Sequence, residues 1–228
     1  MRHELLAATA LGTSLVFLVH SVAVAQSTAF DWSGTYIGGS VGVVNSTSRV
    51  DFTYSSSTSG PGSVALPAIG AAGSIAIGHN FQLDQFVIGI EADGTLMQLS
   101  GTATGPDYTI DHRLESLLTL RGRFGVASGP FMAYGTVGLA GGNASYSALV
   151  SDMGKDSPSA ATASGFVMGV AGGGGVEYAV NDNVSVKGET LFYSLAPLNA
   201  SGDTGKGSFD SAFHTNGLLV RTGVNVHF

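Results

Sequence analysis

Eight segments of this chain alternate apolar and polar residues at period two, and several carry full charges in mid-segment: 32–44, 69–81, 86–96, 113–126, 131–146, 165–180, 184–195 and 214–228. Period two is the signature of a half-buried β-strand, because successive side chains leave opposite faces. In 113–126, Leu114, Leu118, Leu120, Phe124 and Val126 share one face, while Glu115, Thr119, Arg121 and Arg123 share the other. Ile88, Ile90, Ala92 and Leu96 oppose Glu91 and Asp93 in the same way. Val184, Val186 and Phe192 oppose Lys187 and Glu189, and Leu218, Val220, Val224, Val226 and Phe228 oppose Arg221, Asn225 and His227. Helices are disfavoured, because each of the 34 glycines would cost a helix interior about 1 kcal/mol. An all-β chain is expected.

Which face meets water decides the class. Past residue 25 no apolar run reaches the roughly 20 residues of a membrane helix. Yet 44% of residues are hydrophobic and only 11% charged, against about 25% charged in an ordinary soluble domain. Segments of ten or more residues exceed the usual soluble strand of about 5–6 and match the roughly 9–11 that cross a bilayer. Connections alternate between tight turns (82–85, 127–130, 181–183) and long polar loops (45–68, 97–112, 147–164, 196–213). Aromatic residues gather toward segment ends. Trp32, Phe81, Phe86, Phe124, Phe131, Tyr178 and Phe228 lie on the short-turn side, and Tyr146, Phe166, Phe192, Tyr193 and Phe213 on the long-loop side. Two aromatic girdles around an aliphatic band, with short turns below and long loops above, mark an outer-membrane barrel. The expected fold is an eight-stranded antiparallel up-and-down transmembrane β-barrel. Its strands wear their apolar face outward.

The N-terminus supports export. Met1-Arg2-His3, an apolar stretch over 5–19 and Ala23-Val24-Ala25 reproduce the three regions of a secretory signal peptide. Residues 1–25 are expected to be cleaved, leaving 26–228 as the barrel domain. The net charge of −7 and the lack of a basic cluster argue against nucleic acid as a partner. With no cysteine, disulfides and thiolate metal sites are excluded.

With strands placed, Asp31-Trp32-Ser33-Gly34-Thr35-Tyr36-Ile37-Gly38 resembles the opening of the alphaproteobacterial RopB-like outer-membrane β-barrel proteins. Val87-Ile88-Gly89-Ile90-Glu91-Ala92-Asp93, Leu120-Arg121-Gly122-Arg123-Phe124-Gly125 and Gly174-Gly175-Val176-Glu177-Tyr178 fit that family in order. So does the ending Arg221-Thr222-Gly223-Val224-Asn225-Val226-His227-Phe228. The resemblance implies a small porin-like surface antigen with eight strands in the outer membrane. It also implies that Val224, Val226 and Phe228 form the C-terminal signal read by the barrel-assembly machinery, after delivery by periplasmic chaperones. The family usually has Tyr where this chain has Val226.

The inward set Glu91, Asp93, Glu115, Arg121, Arg123, Glu177, Lys187, Glu189 and Arg221 holds five acids and four bases. About eight strands leave an interior that side chains fill, so near-balanced charge there suggests a paired plug and not an open channel. Glu91 and Asp93 are expected to meet Arg121 and Arg123. No catalytic residue, cofactor or metal is expected. Two other readings stay open. Some relatives in the broader barrel family are associated with haemin binding, and that resemblance makes His112 and His214, where long loops enter strands, candidate haemin contacts in a ligand-binding barrel, alongside a small ligand or host surface at the loops. His214 with Ser211 and Asp210 superficially resembles the outer-rim group of a lipid-modifying barrel enzyme.

Overall fold

The computed structural model describes residues 30–54, 63–105, 108–150, 159–203 and 208–228. The expected signal peptide, within 1–29, lies outside the described residues. Eight strands follow one another: β1 (Gly34–Tyr54), β2 (Ser63–Leu83), β3 (Phe86–Gly105), β4 (Tyr108–Ser128), β5 (Phe131–Val150), β6 (Ser159–Asn181), β7 (Val184–Asp203) and β8 (Ser208–His227). Each pairs antiparallel with its sequence neighbour, and β1 closes on β8 to give a barrel without edges. Among the described residues closure leaves no open sheet edge, which lipid would not tolerate.

The short turns fall where the segments place them, at Asp84-Gln85, Gly129-Pro130 and Asp182-Asn183. The long loops do not. Strands run 20–23 residues, so most of 45–68, 97–112, 147–164 and 196–213 is paired sheet. A 21-residue strand is about 70 Å long, and at a tilt of about 40° it rises roughly 53 Å, twice the ~25 Å apolar band of such barrels. Composition on the two faces explains both halves. Low on the barrel, Ile37, Val41, Ile75, Ile90, Leu120, Leu139, Val170 and Val224 point outward and are exposed. Higher up, the outward positions become Asn45, Thr47, Arg49, Thr102, Arg113, Asn143, Ser145, Ser164 and Asn216.

The inward face changes in the opposite sense. Val44, Leu66, Leu99, Ile110, Leu114, Tyr146, Leu195, Phe213 and Leu219 form one apolar cluster inside the upper barrel. The lower half is apolar outside, as in a membrane; the upper half is apolar inside, as in water. Ser- and Thr-rich alternation in the upper half has the composition of turns, so the polarity switch is not legible in the sequence.

Register breaks accompany the switch. Relative to β5, β4 carries one extra residue, Glu115, between Leu114 and Ser116. The β3–β4 and β7–β8 pairings shift at Leu96/Leu99 and Leu195/Leu198. A bulge inserts an unpaired residue and re-aims its neighbours. Leu114 is therefore fully buried inside, although strict alternation puts it on the lipid face with Leu118.

Candidate functional site

The lumen is built in layers, and the turn-side mouth comes first. Trp32 is fully buried, and groups with Val87, Ala127, Met132, Tyr134 and Ala179 in one apolar cluster against which Phe30 packs. It does not join an outward girdle. Phe81, Phe86, Phe124, Phe131, Tyr178 and Phe228 do stay outside on this side, and Phe166 and Phe192 on the other. Tyr146, Tyr193 and Phe213 are inside, since the upper lumen needs apolar filling.

Above Trp32 lies a first polar layer. Glu177 accepts from Arg123, Ser185 and the Asn225 amide, and His227 Nε2 lies 3.6 Å from it. The Arg123 guanidinium sits 3.7 Å from the Tyr134 ring centroid and donates to Tyr36 Oη at 3.1 Å. A delocalised, weakly hydrated guanidinium stacks well on such rings.

The second layer holds the remaining charges. Arg121 donates to Glu91 at 2.5 Å, Asp93 at 2.7 Å and Glu189 at 3.1 Å. Arg221 donates to Glu189 at 2.6 Å and Asp93 at 3.0 Å, and Lys187 Nζ lies 3.1 Å from Glu91. Two tyrosines bridge the layers: Tyr36 donates to Glu91 at 2.7 Å and Tyr134 to Glu189 at 2.8 Å. Thr119 and Thr95 donate to Asp93. None of the eight charged side chains is more than 5% exposed.

Glu115 is not among them. Sequence parity assigned it to the lumen, but as the extra residue of the β4 bulge it faces outward and is exposed. Removing it leaves Glu91, Asp93, Glu177 and Glu189 against Arg121, Arg123, Lys187 and Arg221, a neutral set of four and four. Buried charges persist only when paired and hydrogen-bonded. Arg123 also chooses another partner than expected. It lies opposite Gly89 on β3, and its carboxylate is Glu177 on β6, whereas Arg121 is directly opposite Glu91.

The tyrosines were missed by sequence reasoning, although a signal exists. Tyr36, Tyr134 and Tyr193 each pair across the ladder with a glycine, Gly78, Gly175 and Gly217. Each ring occupies the space a Cβ on that glycine would need. Aromatic-over-glycine pairing is a known sheet device, and here it lets a large ring lie flat in a narrow lumen.

His112 is buried inside the upper barrel, not at a rim. It stacks on Tyr146 at 4.8 Å, Tyr146 stacks on Phe213 at 4.2 Å, and Ser48 Oγ is 3.2 Å from its Nδ1. His214 points the other way, flanked on β8 by the inward Phe213 and Thr215. The two histidines are on opposite faces of the wall. The side chains of Asp210 and Ser211 lie outside the described residues. Among the described residues, no group of three His, Asp or Glu is placed to hold a metal ion.

A closed eight-stranded barrel with an aliphatic outer belt, aromatic rims and ion pairs inside is an integral barrel of the outer-membrane class. Over residues 14–225 the chain matches the family described as "Outer membrane protein beta-barrel domain", and it belongs to that family. It is 32% identical over 215 residues to the 31 kDa outer-membrane immunogenic protein of Brucella melitensis biotype 1, covering 87% of this chain and 85% of that protein. To the 22 kDa outer membrane protein of Rhizobium leguminosarum bv. viciae it is 29% identical over 200 residues, covering 88% and 80%. Its fold is similar to that of the outer membrane protein OprG from Pseudomonas aeruginosa, with a TM-score of 0.52 at 13% identity over 86% of this chain and 97% of that one. These relatives agree with the resemblance read from the sequence phrases. The protein resides in the outer membrane.

Proposed function

We propose that the protein is a non-enzymatic structural barrel with a plugged lumen, presenting its upper wall and loops as a surface antigen. The observation that carries this reading is the neutral, cross-linked charge layer. Arg121 and Arg221 each bind acids from both β3 and β7, so the layer ties opposite walls together across the lumen. The apolar cluster above it supports the same reading, since a water-filled pore has polar walls. The name of the Brucella relative, an immunogenic protein, supports a surface role. Purified protein in planar lipid bilayers is expected to give no stable porin-sized current; stable large steps would overturn the plugged lumen.

Assembly follows from the same reading. Val224, Val226 and Phe228 project outward at alternate positions of the last strand, which suits recognition by the assembly machinery after escort by periplasmic chaperones. In the haemin alternative, His112 and His214 face opposite sides of the wall, so a haemin contact would use one of them and not both. Loop-borne ligands remain a matter for binding screens with loop-deletion variants.

A further inference from the structure

Seven buried side-chain polar atoms among the described residues have no hydrogen-bond partner in the protein, and all but Tyr193 Oη sit toward the turn-side end of the lumen. They are Trp32 Nε1, both polar atoms of the Asn80 amide, Arg123 Nε, Asn225 Oδ1 and His227 Nδ1. Trp32, Asn80 and Asn225 are 0% exposed. Buried donors and acceptors left dry are costly, and ordered water is their usual partner. The zone between Trp32 and the Arg123–Glu177 pair therefore has the chemistry of a small hydrated vestibule.

What covers it is thin. Residues Phe30 to Ser33 belong to no strand and contribute no ladder pair. Trp32 closes the mouth by packing on Val87, Ala127, Met132 and Ala179, with the Phe30 ring edge-on at 4.7 Å and His227 at 5.9 Å. Two hydrogen bonds fasten the segment to the wall, both to Gln82: Trp32 N–H donates to its Oε1 at 2.8 Å, and its own N–H donates to Ser33 Oγ at 3.0 Å. The next residue, Gly34, adopts φ 117°, and a Cβ there would lie 2.6 Å from the Phe228 carbonyl oxygen. Glycine at such a joint is the residue that absorbs backbone rotation.

We propose that Phe30–Ser33 is a movable cork, turning about Gly34 to admit water and small polar solutes from the turn side as far as the Arg123–Glu177 pair. Opening breaks no strand pairing. The proposal rests on the plugged-lumen reading only for where the solutes stop.

The chain has no cysteine, so Asn80→Cys creates a unique thiol inside the vestibule, and Thr95→Cys one on the far side of the charged layer. Labelling by a small cationic methanethiosulfonate would be timed in micelles, with the heat-dependent gel shift of each variant confirming a folded barrel. Adding Trp32→Ala is expected to speed labelling at Cys-substituted Asn80 by about tenfold or more, because the rate follows the open population. Trp32→Phe, which keeps a ring in the mouth, should restore the slow rate. Equal rates with and without the Trp32 side chain would overturn the cork. Labelling of the Thr95→Cys thiol in the Trp32→Ala background would overturn the plug instead, leaving the cork standing. Trp32 is also the only tryptophan, so acrylamide quenching reads the cork in the unmodified chain. Quenching should rise on warming well below the barrel's melting; a tryptophan shielded until the barrel melts would overturn the proposal.

Discussion

Arg121 donates to three carboxylates from two strands, and its guanidinium is fully buried. Its removal leaves Glu91, Asp93 and Glu189 with only Arg221 and Lys187 as counter-charges. An uncompensated buried charge typically costs about 3–5 kcal/mol, so Arg121→Met should lower the urea stability of the refolded barrel by that order. Glu115→Ala should cost less than about 0.5 kcal/mol, as an exposed substitution usually does. Equal losses in the two variants would mean that Glu115 belongs to the lumen after all. The contrast also shows where residue-level reading failed. Parity counted from Arg121 and Thr119 reaches Glu115 on the inner face, and only the unpaired residue of a bulge turns it outward. The tyrosines were hidden for a different reason. Their glycine partners are 42, 41 and 24 residues away along the chain, from Tyr36 to Gly78, Tyr134 to Gly175 and Tyr193 to Gly217, and become neighbours only through register.

β8 shows what a single element must do. Its outward residues Val220, Val224 and Val226 face lipid, its inward Arg221, Asn225 and His227 serve the lumen, and Phe228, just past its end, is 75% exposed at the turn side. Phe228 N–H donates to the Thr35 carbonyl at 2.9 Å, so the end of the chain helps to seam β1 to β8. Deletion of Phe228 is expected to lower the amount of folded protein in the outer membrane, read as the heat-shifted gel species in membrane fractions. Insertion at the normal level would remove the C-terminal strand from the assembly reading. β4 carries a different lesson: one extra residue lets its lower part hold Arg121 and Arg123 inside while its upper part holds Leu114, His112 and Ile110 inside.

The whole molecule is two barrels in one wall, distinguished by which side is apolar. Within the bilayer, the hydrophobic effect cannot drive packing of the outer face, and the lumen carries polar and charged groups joined across the lower barrel. Above it, water faces the outer wall, and the interior is an aliphatic and aromatic core of the ordinary kind. Strand pairing above the apolar band should therefore be protected. In amide hydrogen exchange, Asn143–Tyr146 of β5 and Phe213–Asn216 of β8 are expected to exchange far more slowly than unstructured loop would. Loop-like exchange there would return those segments to the long-loop picture and confine the sheet to the apolar band.

The alternation of residues decided much by itself. Period two, the 34 glycines and the low charge content point to β-structure with an apolar face suited to lipid, and eight repeats separated by short and long spacers point to an up-and-down barrel. The identity of most lumen charges follows as well, because between breaks in register the facing of a strand residue depends on parity alone. Register, closure and the bulges were left to the tertiary structure. They depend on how neighbouring strands slide against each other, a non-local choice settled by which side chains fit together inside. Only the closed barrel could show that Arg123 reaches β6, that Glu115 leaves the lumen, and that the polar "loops" are a second, water-facing storey of the same sheet.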